Sequence, residues 1–309
     1  MENQKVIPVF FSSDDNYAPF LSVAIESIKK NSSDKYLYNI IVLSEELSNS
    51  SKELLLRQEK ENLKINFVNL SDKIKEHKVE LEKTLRDYYT VSIFYRMFIA
   101  NAFPEYDKAI YIDADIVLLD DIAKLYEVDL GDNLVGAVSD RVVLSSDIFI
   151  RYTEEVVGTK KGDYFNSGVL VMNLKGFRNQ QIEEKFIKTL KKYNFLTVAP
   201  DQDYLNFFCL GKVKYLGDEW NFMPSVSGEV HSGIKLIHYN MFAKPWLYKG
   251  ITLEEHFWHY AYFTELYSKL KLKRQLYDAV KMENDLKSNE KLLTTAKEIT
   301  DSKQKFISA

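Results

Sequence analysis

The sequence predicts an α/β fold with a mainly parallel central sheet, and three observations carry that expectation. Strand-like and helix-like patterns alternate along the first two thirds of the chain, as they do where helices connect parallel strands. Two of the strand runs, 109–113 and 165–173, are apolar segments of the kind buried inside a sheet. The chain has 309 residues, 46% hydrophobic and 28% charged, enough for one large or two modest domains of ordinary soluble type.

Residues 6–12 read as the first strand. Helical spacing follows over 17–30, with Leu21, Ala24, Ile25 and Ile28 on one face. A second strand is expected over 39–43 and a second helix over 48–61, opened by a Ser/Asn cap. Residues 65–70 form the third strand, and the lysine-rich stretch 71–87 reads as a helix with a mobile loop. An aromatic-rich helix over 92–102 feeds the strand 109–113; the strand 134–138 runs towards Asp140. FNSGVLVMN, 165–173, is a further buried strand, followed by a basic amphipathic helix over 182–193 and another helix over 201–210. Short strands and turns from Lys212 lead to LIHY, 236–239. Residues 252–272 read as one helix, and the tail from Lys273 is polar and helix-prone, without glycine or proline. Neither an internal repeat nor a Pro/Ser-rich linker interrupts this order. The expected division is one domain over 1–250 and a C-terminal helical extension over 251–309.

Bulk properties exclude several function classes. A formal net charge of −4 and a pI near 5.9 argue against a nucleic-acid binder, which would carry a basic face. The single cysteine, Cys209, forbids an internal disulfide and any cysteine-based zinc cluster, and fits a reducing, cytoplasmic setting. It reads as a small buried hydrophobe beside Phe207 and Phe208. The opening residues do not form a secretory signal, and no run reaches ~18 apolar residues. Glycine numbers only 11, with nothing like GxGxxG, so any nucleotide bound here is not held by a glycine-rich phosphate loop.

Chemistry concentrates in KAIYIDADIVLLDD, residues 108–121. Its apolar run ends on Asp113 and Asp115, one residue apart, which a strand presents on one face. Two carboxylates aimed together repel unless a cation lies between them. Oxygen ligands of this kind suit Mg²⁺ or Mn²⁺, which bind substrate phosphates at the same time. A calcium loop fits poorly, because Leu118 stands where the tight turn requires glycine and Lys124 where the closing glutamate belongs. A phosphatase-type nucleophile pair would need a hydroxyl residue shortly behind the acids, and Ile116, Val117 and Leu118 follow instead. Paired surface acids after a strand remain the plain alternative.

Three further groups join this pair. His238 closes the strand-like LIHY and is a third candidate ligand, although a histidine there also serves as an ordinary packed residue. Lys244, in the rigid turn AKPW, is suited to clamp phosphate charge. SSDDNY, from Ser12 to Tyr17, follows the first strand: Asp14 and Asn16 offer groups for a nucleobase edge and ribose hydroxyls, Tyr17 a stacking ring. The same residues fit a helix cap. Asp201, Gln202 and Asp203, in PDQDY, either bind sugar hydroxyls or cap the helix that starts there.

In their order along the chain these blocks resemble retaining glycosyltransferases of family 8, the group of glycogenin and the bacterial lipooligosaccharide α-galactosyl- and glucosyltransferases. The resemblance rests on SSDDNYAPF, FYRMFIANAFPEYDKAIYIDADIVLLDDI, YFNSGVLVMNL, DQDYLN, WNFMP and HYNMFAKPW, and spans about residues 6–248. It implies the GT-A fold, a single Rossmann-like nucleotide-binding domain, with a UDP-hexose donor and Mn²⁺ or Mg²⁺. It implies Asp113, Asp115 and His238 as metal ligands, with Ala114 between the acids. Ser12, Asp14, Asn16 and Tyr17 would face the nucleoside, and Lys244 the diphosphate. Arg96, Asp140, Asn166, Asp201 and Gln202 would surround the donor sugar, with Gln202, Asp201 and Lys244 nearest the chemistry.

Departures from the family pattern exist. Met241 stands where a glycine is usual, Ala114 replaces a bulkier residue, and the acceptor-side segment around Tyr88 to Thr90 differs from the galactosyltransferase branch. The implied activity is transfer of glucose or galactose, with retention, to a saccharide or glycolipid hydroxyl. Gln202 is a poor nucleophile, so same-face attack is expected, with Gln202 as an electrostatic stabiliser. Two other readings fit parts of the pattern. One is a UDP-sugar-binding regulatory or stress-associated protein without turnover; the other, a nicotinamide-dependent oxidoreductase, lacks its glycine fingerprint. The run KLKLKRQLYDAVK, 269–281, fits a peripheral contact with an anionic membrane on its inner face or, alternatively, a solvated helical tail.

Overall fold

The computed structural model of the chain describes residues 4–84, 90–225, 230–277, 279–302 and 305–308. Much of the loop expected at the end of 71–87, and the residues Tyr88 and Tyr89 of the acceptor-side segment, lie outside them. Among the described residues nine strands are present: β1 (Lys5–Ser12), β2 (Tyr36–Ser44), β3 (Leu63–Asn69), β4 (Lys108–Ile112), β5 (Ile116–Leu118), β6 (Val135–Ala137), β7 (Val169–Asn173), β8 (Val213–Tyr215) and β9 (Leu236–His238). The chain clusters into two compact units. The first holds Met1–Asn69, Ile110–Val128 and Gly217–Asp285; the second holds Leu70–Ala109, Asp129–Leu216 and Leu286–Ala309.

In the first unit β3, β2, β1 and β4 run parallel in that order. The side chains of Ile7, Val9, Phe10 and Phe11 on β1 are all fully buried, so both faces of this strand are covered. The helix Ala18–Asn31 buries Leu21, Ala24, Ile25 and Ile28, the face read from the sequence, and starts with proline in its first turn. The expected second helix is shorter than 48–61. It runs Asn49–Leu56, capped by the Ser48 hydroxyl, which accepts from Ser51 N–H, and a turn over Arg57 to Glu59 closes it. Antiparallel pairing of β5 with β9 sets Ile116 opposite His238. Beneath that pair lies an apolar cluster including Phe20, Val117, Phe222, Ile237, Tyr239, Trp246 and Phe257, with the Phe20 and Trp246 rings stacked at 4.0 Å.

The single helix expected over 252–272 is two, Glu254–Tyr262 and Tyr267–Gln275. Between them the Thr264 hydroxyl donates to Ala261 C=O, offering that carbonyl a partner other than the next turn of helix.

In the second unit β6 pairs antiparallel with β7 and parallel with β8. The helices Tyr95–Ala102, Ile182–Tyr193 and Pro200–Phe208 bring the rings of Phe98, Phe186 and Tyr204 together. The tail is helical over Ala279–Asp301, and from Leu286 it belongs to this unit. Phe306 is fully buried against Phe195, Tyr204 and Phe207, at ring separations of 4.4, 4.9 and 5.4 Å. The overall class is α/β with mainly parallel strands, as the alternation of patterns predicts. Cys209 is buried and unpaired, and burial pushes its thiol well up.

Candidate active site

The first unit gathers Asp113, Asp115, His238 and Lys244 around the end of β4. Asp113 follows the last residue of β4, and the Tyr111 hydroxyl donates to its Oδ1 at 3.1 Å. Asp115 sits just before β5, and its backbone C=O accepts from Tyr239 N–H at 2.9 Å. That bond continues the β5–β9 ladder and sets the imidazole beside the acids. His238 Nε2 lies 3.3 Å from Asp115 Oδ1 and 3.9 Å from Asp113 Oδ2. On the far side of the ring, Nδ1 is 2.9 Å from the Asn221 side-chain oxygen. An oxygen there requires Nδ1 to carry the hydrogen, which leaves the lone pair of neutral imidazole on Nε2, facing the carboxylates.

This donor set fits a divalent cation. One atom from each of Asp113, Asp115 and His238 lies within 4.8 Å of the others. Bonds of ~2.1 Å to one ion allow donor atoms ~3 to ~4.2 Å apart, a range that includes both imidazole–carboxylate separations. Asp115 Oδ1 is buried with no hydrogen-bond partner, an acceptor the fold leaves unsatisfied. Asp115 Oδ2 is instead bonded by the Lys244 ammonium. Burial alone would push the Asp115 carboxyl up; the Lys244 ammonium opposes it, joined by His238 whenever that ring is protonated, and the group is held below the ordinary carboxylate range. The Lys244 ammonium shifts upwards, because its carboxylate neighbours outweigh the opposing effect of its own burial.

Lys244 is positioned by the turn it opens. Its C=O accepts from Leu247 and Tyr248 N–H, and Trp246 two residues on is locked between Phe20 and Phe257. Met241, the departure noted in this loop, has φ +50°, the left-handed conformation that favours glycine. Ala114 is buried. At the end of β1, the Ser12 hydroxyl is buried without a hydrogen-bond partner. Asp14 Oδ1 accepts from Tyr17 N–H at 2.9 Å in the turn ahead of the helix Ala18–Asn31, which has no side-chain cap at Tyr17. Asn16 and Tyr17 are exposed.

The second unit gathers Arg96, Asp140, Asn166, Asp201 and Gln202, all buried. Asp201 Oδ2 lies 3.1 Å from Arg96 Nε. Gln202 Nε2 and Asn166 Nδ2 both donate to Asp140 Oδ2 at 3.0 Å, while Asp140 Oδ1 accepts from Val142 and Val143 N–H. Gln202 Oε1 accepts from Ser167 N–H at 2.9 Å. The alternative of a simple helix cap does not describe Asp201 and Gln202, because the helix Pro200–Phe208 has no side-chain cap at Ala199. The backbone N–H groups of Val198 and Ala199 are taken by Asp203, which also accepts from Tyr152 and Tyr164.

Sequence reasoning passed over three features. Strand β5 was hidden in the acid-flanked run; Asn221 holds the histidine; Ser167 joins three of the second cluster's residues. Asn221 and Ser167 both lie in the quoted blocks WNFMP and FNSGV, so their signal was position inside a block rather than residue type.

A parallel α/β fold with two acids and an imidazole at a strand end defines a GT-A glycosyltransferase framework. The signature described as glycosyl transferase family 8 matches residues 8–250, and the chain belongs to that family. A Haemophilus influenzae relative is 29% identical over 218 residues, 70% of this chain and 63% of its own length. General stress protein A of Bacillus subtilis is 28% identical, covering 66% of this chain and 67% of the relative. A lipopolysaccharide 1,2-glucosyltransferase of Escherichia coli is 27% identical, covering 80% and 75%. Among solved structures, an active-site mutant of LgtC superposes with a TM-score of 0.70 at 25% identity, covering 84% of this chain and 96% of that one. The bifunctional glycosyltransferase WbbM superposes at 0.75, also at 25% identity, covering 89% and 53%. The matched segment thus spans less than two thirds of the first of these relatives and about half of the WbbM chain.

Proposed function

We propose that this chain is a retaining hexosyltransferase that moves glucose or galactose from a UDP-hexose to a hydroxyl of a saccharide or glycolipid. The observation that carries the reading is the Asp113–Asp115–His238 cluster with Lys244 paired to it. Asp113, Asp115 and His238 would hold Mn²⁺ or Mg²⁺, and a cation there supplies Lewis-acid neutralisation of the departing diphosphate. Lys244 adds its positive charge to the same phosphate oxygens. Asp14, Asn16 and Tyr17 take the nucleoside, with Ser12 at the strand end beside them.

Arg96, Asp140, Asn166, Asp201 and Gln202 orient the hexose. The bond from the anomeric carbon to the β-phosphate oxygen breaks, the acceptor oxygen forms a new bond on the same face, and the acceptor proton passes to the departing UDP. Gln202 presents an amide dipole to the oxocarbenium-like centre. Asp201 is a poor nucleophile in this reading, because Arg96 already compensates its charge. No helix among the described residues is long and apolar enough to cross a membrane. In this reading the enzyme works in the cytoplasm, where UDP-sugars are made, and meets a lipid-linked acceptor by peripheral contact through residues 269–281.

UDP release from UDP-glucose and UDP-galactose, with Mn²⁺ and a panel of saccharide and glycolipid acceptors, tests the reading. Acceptor-dependent UDP release with an α-linked product supports it. Tight UDP binding without release from either donor would replace it with the binding-protein alternative.

A further inference from the structure

Ser167 lies inside the second cluster. It is buried, and all four of its polar functions are engaged. Its N–H donates to Gln202 Oε1 at 2.9 Å. Its hydroxyl donates to Asp201 Oδ2 at 3.0 Å and accepts from Arg96 Nη1 at 2.9 Å. Its C=O accepts from the same Arg96 nitrogen at 2.6 Å. Arg96 and Asp201 also meet directly, through Nε and Oδ2 at 3.1 Å. The hydroxyl therefore closes a ring with the guanidinium and the carboxylate, donating to one and accepting from the other. Among side chains this small, only a hydroxyl does both.

We infer that Ser167 is a positioning residue for the donor sugar. Its hydroxyl fixes the Arg96–Asp201 pair, and its backbone N–H fixes the orientation of the Gln202 amide. The Gln202 part follows from hydrogen-bond polarity. With Oε1 held by Ser167 N–H and Nε2 held by Asp140, the amide has one orientation, and an amide flip would break both bonds. The hydroxyl part follows from burial. An arginine and an aspartate away from water keep a single geometry only when their remaining donors and acceptors are filled. Ser167 fills one of each. Substitution by alanine keeps the Gln202 contact and removes both hydroxyl bonds, so its effect is confined to the Arg96–Asp201 geometry.

This inference rests on the proposed transfer from a UDP-hexose, and its test separates the two. Affinities for UDP and for UDP-hexose are measured calorimetrically with Mn²⁺ in wild type, Ser167→Ala and Ser167→Thr, together with kcat and the thermal midpoint. Ser167→Ala is expected to bind UDP as wild type does and to lose about fivefold or more in affinity for the UDP-hexose. Its kcat should fall about ten- to hundredfold, the scale set by small misplacement of reacting groups. Ser167→Thr keeps the hydroxyl and should recover most of both. A Ser167→Ala protein that binds UDP-hexose and turns over within twofold of wild type overturns the inference, as does one that loses UDP and UDP-hexose affinity equally. A wild type that binds no UDP-hexose fails differently, since it removes the functional reading and the inference together.

Discussion

The Lys244 ammonium is bonded to Oδ2 of Asp115, the acid whose other oxygen faces His238. A cation held by the cluster would therefore draw on the same carboxylate as the lysine, which is its counter-charge. Two unit charges ~4 Å apart repel by ~4 kcal/mol at an effective dielectric near 20, so tenfold in binding is a lower bound for removing the ammonium beside a cation. Lys244→Gln should bind Mn²⁺ alone at least about tenfold more tightly than wild type, and Mn²⁺ with UDP more weakly. In EDTA it should melt earlier, because Asp115 is then buried without its ammonium counter-charge, and Mn²⁺ should restore the midpoint. Titration calorimetry and thermal melts check both signs; equal Mn²⁺ affinity in the two proteins would contradict the competition.

The two acids differ in what their loss should do. Asp113 is partly exposed, at 30% of its side-chain surface, whereas Asp115 is nearly enclosed and carries the lysine. Asp113→Asn should lower metal-dependent turnover about a hundredfold or more while moving stability by under ~1 kcal/mol. Asp115→Asn should lose turnover as fully and also cost about 3–5 kcal/mol, since it strands a buried ammonium. Urea unfolding beside UDP-release assays separates them, and equal stability of the two variants would be the wrong result.

Glu183, near the start of the helix Ile182–Tyr193, supplies a pH signature. Burial pushes its carboxyl up to about 7, with Lys73 opposing and Glu184 assisting. A carboxyl raised in the folded state favours folding below its unfolded value, 4.5, and loses that contribution as pH rises through about 7. Glu183→Gln should therefore gain stability over wild type at pH 8 and not at pH 4. The group is part-exposed, so screening limits the gain to on the order of 1 kcal/mol. Denaturant midpoints at the two pH values measure it, and an identical difference at both would rule the assignment out.

Phe306 closes the aromatic cluster formed by Phe195, Tyr204 and Phe207. Phe306→Ala should cost about 3–5 kcal/mol by cavity formation, even though the residue lies three positions from the last in the sequence given. Chemical denaturation reads this directly, and a loss below ~1 kcal/mol would mean that the ring is not packed as described.

Periodicity made the framework legible. The face of helix Ala18–Asn31 and the strands β1 and β4 follow from runs a reader can count, whereas β7 takes only Val169–Asn173 of the run expected over 165–173. Local pattern gave way at two places: the helix that reads as continuous over 252–272 is two, with the Thr264 hydroxyl bonded to Ala261 C=O between them, and β5 is a strand because β9 pairs with it. In the site, Asp113 and Asp115 announce themselves by spacing. Asn221 and Ser167 do not, because their roles depend on which lone pair or N–H meets them across the fold. Met241 is a case between these, since its left-handed backbone matches the glycine usual there while its side chain conceals that conformation.

Lys244 and Asp115 stand 129 positions apart in the chain, and His238 reaches Asp115 only through the β5–β9 ladder. On the ribosome, a growing chain that has exposed both carboxylates therefore carries a bare pair of acids until the imidazole and then, 129 residues after Asp115, the ammonium have followed.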